Sequence, residues 1–145
     1  MLSRGFLTVM WAIVLVYFTC SINPFHFRIS ELRFTGHPNL ELILRFDLHP
    51  LRPMWTISKI GHYSGFLIFE YLLTRWLRHR RLSAAIAISF AILTELAQPF
   101  FFRDGRLYDM VIDSLGVLTF YLWYRRKRTP LRRKDHIRLN MHKGR

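Results

Sequence analysis

The sequence predicts an all-α membrane protein, an antiparallel bundle of four transmembrane helices with both termini cytoplasmic and a long first outer loop. Three observations carry that expectation. The 145 residues are 51% hydrophobic and 16% aromatic, with mean hydropathy +0.12, yet the formal net charge is +13. The apolar residues gather into four stretches, each near the roughly 20 residues that cross a bilayer. The basic residues gather between and after those stretches, most of them on one side. Other classes are excluded by the same numbers. With 13 Phe, 6 Tyr and 4 Trp the chain is too aromatic to be disordered. The single cysteine, Cys20, has no partner for a disulfide framework and cannot anchor a Cys/His zinc module.

The first stretch, residues 5–22, lies in a region with no charge between Arg4 and Arg28. A cleaved signal peptide is the competing reading. Arg4 is a thin basic flank, and Thr19-Cys20-Ser21 is not a small-x-small cleavage site, so an uncleaved helix is expected. The second stretch, 54–76, is apolar apart from Lys59, His62 and Glu70. The third, 82–102, holds Glu95, and the fourth, 107–124, holds Asp109 and Asp113. A soluble bundle would need polar stripes at helical spacing, and Ala84 to Leu93 offers only Ser89. Trp55, Trp76 and Trp123 stand near stretch ends, where amphipathic rings favour the membrane interface; Trp11 does not.

Orientation follows from Lys and Arg. Arg4, then Arg75, Arg78, Arg80 and Arg81, then the basic residues after Tyr124 fall on one side. Arg28, Arg33, Arg45, Arg52, Lys59, Arg103 and Arg106 fall on the other and are balanced there by acidic residues. The positive-inside rule makes the basic side cytoplasmic. Residues 1–124 then form one membrane domain, and 125–145 a basic cytoplasmic tail expected to be disordered. Two readings stay open for the outer loop. Partial alternation in Phe27–Ser30 and Leu42–Leu48 around Gly36–Asn39 suggests a small β-hairpin, while Leu40–Leu48 also suits a short amphipathic surface helix.

Ionisable groups inside a span cost roughly 3 kcal/mol each near mid-bilayer and mark functional sites by default. At 1.5 Å per residue, His62, Glu95 and Asp113 lie about 12, 10 and 9 Å from the outer ends of their helices. Three helices therefore bring a His, a Glu and an Asp to one level in the outer leaflet. Faces agree as well: Lys59 with His62, Glu95 with Gln98, and Asp109 with Asp113 and Gly116 share helical faces. Gly61 and Gly65 are expected to let the second helix pack closely on a neighbour. Arg103 and Arg106 stand in the turn above. Glu95, Asp109 and Asp113 against Lys59, Arg103 and Arg106 make a group near neutrality, which lets it survive desolvation.

The ordered set Lys59-x-x-His62-Tyr63-x-x-Phe66, Glu95-x-x-Gln98 and Arg106-x-x-Asp109-x-x-x-Asp113-x-x-Gly116 resembles the VanZ-like membrane proteins. The resemblance covers residues 58–124. It implies a multi-pass protein of the cell membrane, linked to the envelope and to low-level resistance to the glycopeptide teicoplanin. It implies no defined reaction.

The residues themselves support three function classes. In the first, His62, Glu95 and Asp113 handle protons as catalytic groups, while Lys59, Gln98, Arg103, Arg106 and Asp109 bind a lipid-linked or anionic envelope molecule. In the second, the cluster only locks helices together in an accessory subunit of an envelope complex. In the third, its carboxylates belong to a small transporter or ion relay. Whether the chain is an enzyme stays open, as does oligomerisation. Asp109 could instead cap the fourth helix, and Glu70 is expected to pair with Arg75 or another loop cation. No cofactor is expected, and the nearby Lys and Arg disfavour a metal at His62, Glu95 and Asp113. The basic tail carries no aromatic residues among its charges and no nucleic-acid motif, so its expected partner is anionic inner-leaflet lipid, not nucleic acid.

Overall fold

A computed structural model describes residues 2–21, 33–45, 48 and 51–143. Among these, every regular element is helical. Four α-helices run Leu2–Cys20 (α1), Pro53–Leu77 (α2), Arg80–Ala97 (α3) and Leu107–Lys143 (α4), with 3-10 turns at Leu40–Leu44 and Gln98–Phe101.

Local chemistry sets the boundaries. Pro53 opens α2 in the first turn, where its missing N–H costs nothing. Arg78 ends α2 in the left-handed region (φ 56°), its N–H returning to the Thr74 carbonyl. His79 Nδ1 then accepts the Leu82 N–H and starts α3. Only Arg78 and His79 separate the two helices, which therefore fold back antiparallel. Pro99 cannot continue an α-helical ladder, so α3 tightens into the 3-10 turn and stops at Phe102 (φ 55°). The third predicted span is thus an α-helix completed by a 3-10 turn.

Side-chain contacts give the direction of each helix. Gly5 packs on the Trp76 indole and Gly65 on Leu15, so α1 runs antiparallel to α2. Trp11 donates its indole N–H to the Gly65 carbonyl at 3.0 Å, which explains a tryptophan far from any helix end. Phe90 of α3 packs on Phe66 and Phe69 of α2, with centroids 6.2 and 4.9 Å away. Tyr63 bonds Thr119 and Tyr71 packs on Phe120, so α2 and α4 run parallel. A Cβ on Gly116 would lie 2.2 Å from the Tyr63 carbonyl, so that crossing requires glycine.

The bundle is inverted relative to a water-soluble one. Phe66, Ala87, Ala91 and Val117 are fully buried, but so are Glu70, Glu95 and Asp113, with Gln98 and Asp109 nearly so. Outside, every helix exposes large apolar groups: Phe6 and Ile13, Ile57 and Ile60, Leu93 and Leu96, Val111 and Leu115. An apolar exterior over a partly ionisable interior suits a lipid surround. Ser3–Cys20 and Arg80–Phe101 are each long and apolar enough to cross a membrane. At 25 and 37 residues, α2 and α4 have the length but carry the interior charges.

Several expectations need correction. No strand occurs among the described residues. Leu40–Leu44 forms a 3-10 turn, with Asn39 Oδ1 accepting the Glu41 N–H, so the second arm of the hairpin is not formed there. Phe27–Ser30 lies outside the described residues, as do parts of the stretch up to Leu48. Where a disordered tail was expected after Tyr124, α4 continues to Lys143. Its Arg, Lys, Leu and Met residues are good helix formers extending an existing helix, which needs no new nucleus. Gly61 has open space beside it, so of the two α2 glycines only Gly65 makes a close approach. Glu70 accepts from Thr74 at 2.9 Å, while Arg75 donates to Tyr71, so Glu70 is buried deeper than the loop cations reach.

Candidate functional site

The turn between the 3-10 segment and α4 builds the site from backbone. Gly105 lies so close to the end of α3 that a Cβ would meet the Glu95 carbonyl at 2.1 Å. That approach lets the Arg106 backbone N–H donate to Glu95 Oε2 at 3.1 Å. Gln98, one turn after Glu95, donates its side-chain amide to Oε1. Glu95 is thus held by its own helix and by the turn above it.

The other two helices complete the cluster. His62 Nδ1 lies 3.2 and 3.3 Å from the two Asp113 oxygens and 3.7 Å from Glu95 Oε1. Lys59, one turn before His62, meets Asp109 Oδ2 at 2.6 Å, one turn before Asp113. A lysine–carboxylate pair and a histidine–carboxylate contact are therefore stacked along the parallel α2/α4 seam. Predicted Lys59, His62, Glu95, Gln98, Asp109 and Asp113 all come together. Asp109 binds Lys59 and does not cap α4 with its side chain; its Oδ1 has no hydrogen-bond partner among the described residues. Glu95 takes its bonds from a side-chain amide and a backbone N–H.

The two arginines divide. Arg103 turns inward and donates to the Ser21 carbonyl at the end of α1, at 2.6 Å. Burial lowers its guanidinium from the ordinary value, against the pull of Glu95. Arg106 donates to the Tyr108 hydroxyl at 2.6 Å and to Asp104 at 3.2 Å. Burial works against its charge too, but Tyr108 and Asp104 bring it net above the ordinary value. Both stay charged at any pH a cell experiences.

Two cavities meet at this cluster. The polar one, about 430 Å³, lies under the turn and is lined by Trp55, Lys59, His62, Gln98, Arg103, Arg106 and Asp109, among others. The apolar one, about 530 Å³, runs between α1 and α2 along Trp11, Leu15, Phe18, Ile57 and Phe66. Met54, Ser58, His62 and Arg103 line both.

Sequence reasoning missed the aromatic walls. Lys59 Nζ lies 4.9 Å from the Tyr108 ring centroid and 5.5 Å from that of Trp55. Trp55 stands four residues before Lys59 and so shares its face, which was readable. Ser21 and the α1 groove were not, because nothing in the sequence ties α1 to the later helices. The nearest ligand atoms of His62, Glu95 and Asp113 lie within 4.8 Å of one another, a set that can hold a divalent cation. Lys59 and Arg103 stand beside it, and their charges work against an added cation.

The chain is 39% identical over 92 residues to the "Uncharacterized membrane protein YwnJ" of Bacillus subtilis (strain 168). The match takes in 63% of this chain and 66% of that protein, just under two thirds of its length. No family model and no solved structure matches. The inverted bundle and this relative agree that the chain is a helical membrane protein.

Proposed function

We propose that the protein crosses the cell membrane four times with both termini cytoplasmic, and that it binds an anionic amphiphile from the outer leaflet. A lipid-linked envelope precursor has the required form. One observation carries this reading: a polar cavity and an apolar groove share His62 and Arg103 at their junction. The head of such a molecule would meet Arg103, Arg106 and Lys59, and its tail would lie along α1 and α2. When Nδ1–H of His62 donates to Asp113, Nε2 is left free to take a proton, with Glu95 beside it to stabilise the charge. The resemblance to VanZ-like proteins makes glycopeptide susceptibility the phenotype to follow.

A specific observation favours a second reading. Lys59 pairs with Asp109 and His62 with Asp113 across the α2/α4 seam, as in a purely structural lock. An ion relay finds less support. Phe66, Phe69 and Phe90 pack together between the level of His62 and that of Glu70, closing the interior with aromatic rings.

The test is binding of a polyprenyl phosphate to the full chain in neutral-lipid nanodiscs. Arg103→Gln/Arg106→Gln should weaken binding tenfold or more, while Leu93→Ala on the outer surface of α3 should not. Equal binding by the double variant and the wild type removes the proposal and leaves the structural lock.

A further inference from the structure

A cavity larger than these two lies not at this cluster but at the opposite end of the bundle. It measures about 960 Å³ and lies where the α2–α3 turn, the start of α1 and the middle of α4 converge. Arg4, Arg75, Arg78, Arg80, Arg81 and His79 line it, together with Tyr71, Phe120, Trp123 and Tyr124. No Asp or Glu is among its lining residues. Five arginines, four on three helices and Arg78 in the turn between two of them, therefore line one space with no carboxylate among its lining residues.

Arg80 shows how the space is built. Its guanidinium carbon stands 6.0 and 5.9 Å from the Tyr121 and Tyr124 ring centroids. Its Nη1 is buried and has no hydrogen-bond partner among the described residues. A buried guanidinium N–H without an acceptor costs on the order of 1–3 kcal/mol, and an anionic oxygen at that position would recover it. The cavity walls add a second signal. Trp123 is half exposed, with Lys127 Nζ 4.1 Å from its ring centroid, and Leu82 and Leu122, each next in sequence to a lining residue, are exposed. Basic groups beside a tryptophan and an apolar surface describe the level of lipid headgroups.

We infer that this basic cavity is a binding site for the phosphate of an anionic phospholipid headgroup, separate from the outer cluster. A phosphodiester supplies the acceptors that Arg80 lacks, and Arg geometry suits it. The attached acyl chains would lie on the apolar outer faces of α3 and α4. A free phosphate offers the same oxygens but makes no use of the apolar flanks. The site goes beyond the proposed outer-leaflet function and stands without it, since it shares no residue with that cluster.

The experiment is native mass spectrometry of the full chain released from nanodiscs of phosphatidylcholine with phosphatidylglycerol. Retained phosphatidylglycerol is expected at a small fixed stoichiometry. Arg4→Gln/Arg81→Gln, which leaves the Arg80 ring contacts intact, should weaken retention about thirtyfold. Arg80→Gln should weaken it as well, with the fold checked by circular dichroism. A control neutralising Arg132, Arg133 and Lys134 should leave retention unchanged, which separates the cavity from general attraction to the tail. The inference is overturned if Arg4→Gln/Arg81→Gln retains lipid like the wild type, if the tail control removes it, or if millimolar inorganic phosphate displaces it fully.

Discussion

Glu95→Ala removes the acceptor for two buried donors, the Gln98 amide and the Arg106 N–H, and takes a carboxylate from beside His62. Each buried donor left without a partner costs about 1–3 kcal/mol, so the pair costs about 2–6 kcal/mol before any cavity term. Against a total stability of about 5–15 kcal/mol this is a large fraction. Glu95→Gln fills the same volume and keeps one of the two acceptor oxygens, so it should cost about 1–3 kcal/mol, for one donor left over instead of two. Unfolding in mixed micelles, followed by the fluorescence of the four tryptophans, measures both. The contrast also separates function from scaffold. If the carboxylate only locks helices, Glu95→Gln should keep the cellular phenotype in proportion to its stability. If it handles protons, Glu95→Gln should stay folded and lose activity by about a hundredfold or more. Glu95→Ala within about 0.5 kcal/mol of the wild type would show that the network through the Gly105 turn does not hold these helices.

Lys59→Met should destabilise by about 3–5 kcal/mol, because it strands the buried Asp109 carboxylate. Lys59→Met/Asp109→Asn should recover most of that loss, and the same unfolding assay reads both. Gly116→Ala should cost about 1–3 kcal/mol, since its methyl meets the Tyr63 carbonyl, whereas Gly61→Ala, with open space beside it, should cost less than 0.5 kcal/mol. For orientation, Cys20 is buried and gives little background. Gly36→Cys should react with an impermeant maleimide on intact cells and Arg81→Cys only after permeabilisation; the reverse order overturns the four-span topology.

Much of the fold was readable because its cause is local. Hydrophobic length placed the four helices, while Pro53 in the first turn of α2 and the His79 cap of α3 set the exact starts that the structure shows. The outer cluster was legible because helical rise converts position into depth, which put His62, Glu95 and Asp113 level before any contact was known. Three features were not legible, each for a physical reason. Leu42–Leu48 carries partial alternation like a strand, but the Asn39 side chain turns the backbone at Leu40–Leu44 into a 3-10 segment. Glu70 looked close enough to Arg75 in sequence to pair with it, yet helix geometry points the two to different faces. The role of α1 depends on Arg103 reaching the Ser21 carbonyl and on Trp11 reaching that of Gly65, contacts across more than 50 residues that no local pattern encodes. The basic cavity was hidden for a related reason. Arg78, Arg80 and Arg81 read as an orientation signal, and only the fold brings Arg4 and the α4 aromatics around them.

The central claim is that one amphiphile spans the polar cavity and the α1/α2 groove. A polyprenyl phosphate with a photoactivatable group in its tail tests it most directly, using the full chain in nanodiscs and mapping the labelled residues by mass spectrometry. Labels should concentrate on Leu15, Phe18 and Ile57, and Arg103→Gln/Arg106→Gln should remove them. Labels spread evenly over Leu93, Val111 and Leu115 on the outer surface, unchanged by that double substitution, would contradict it.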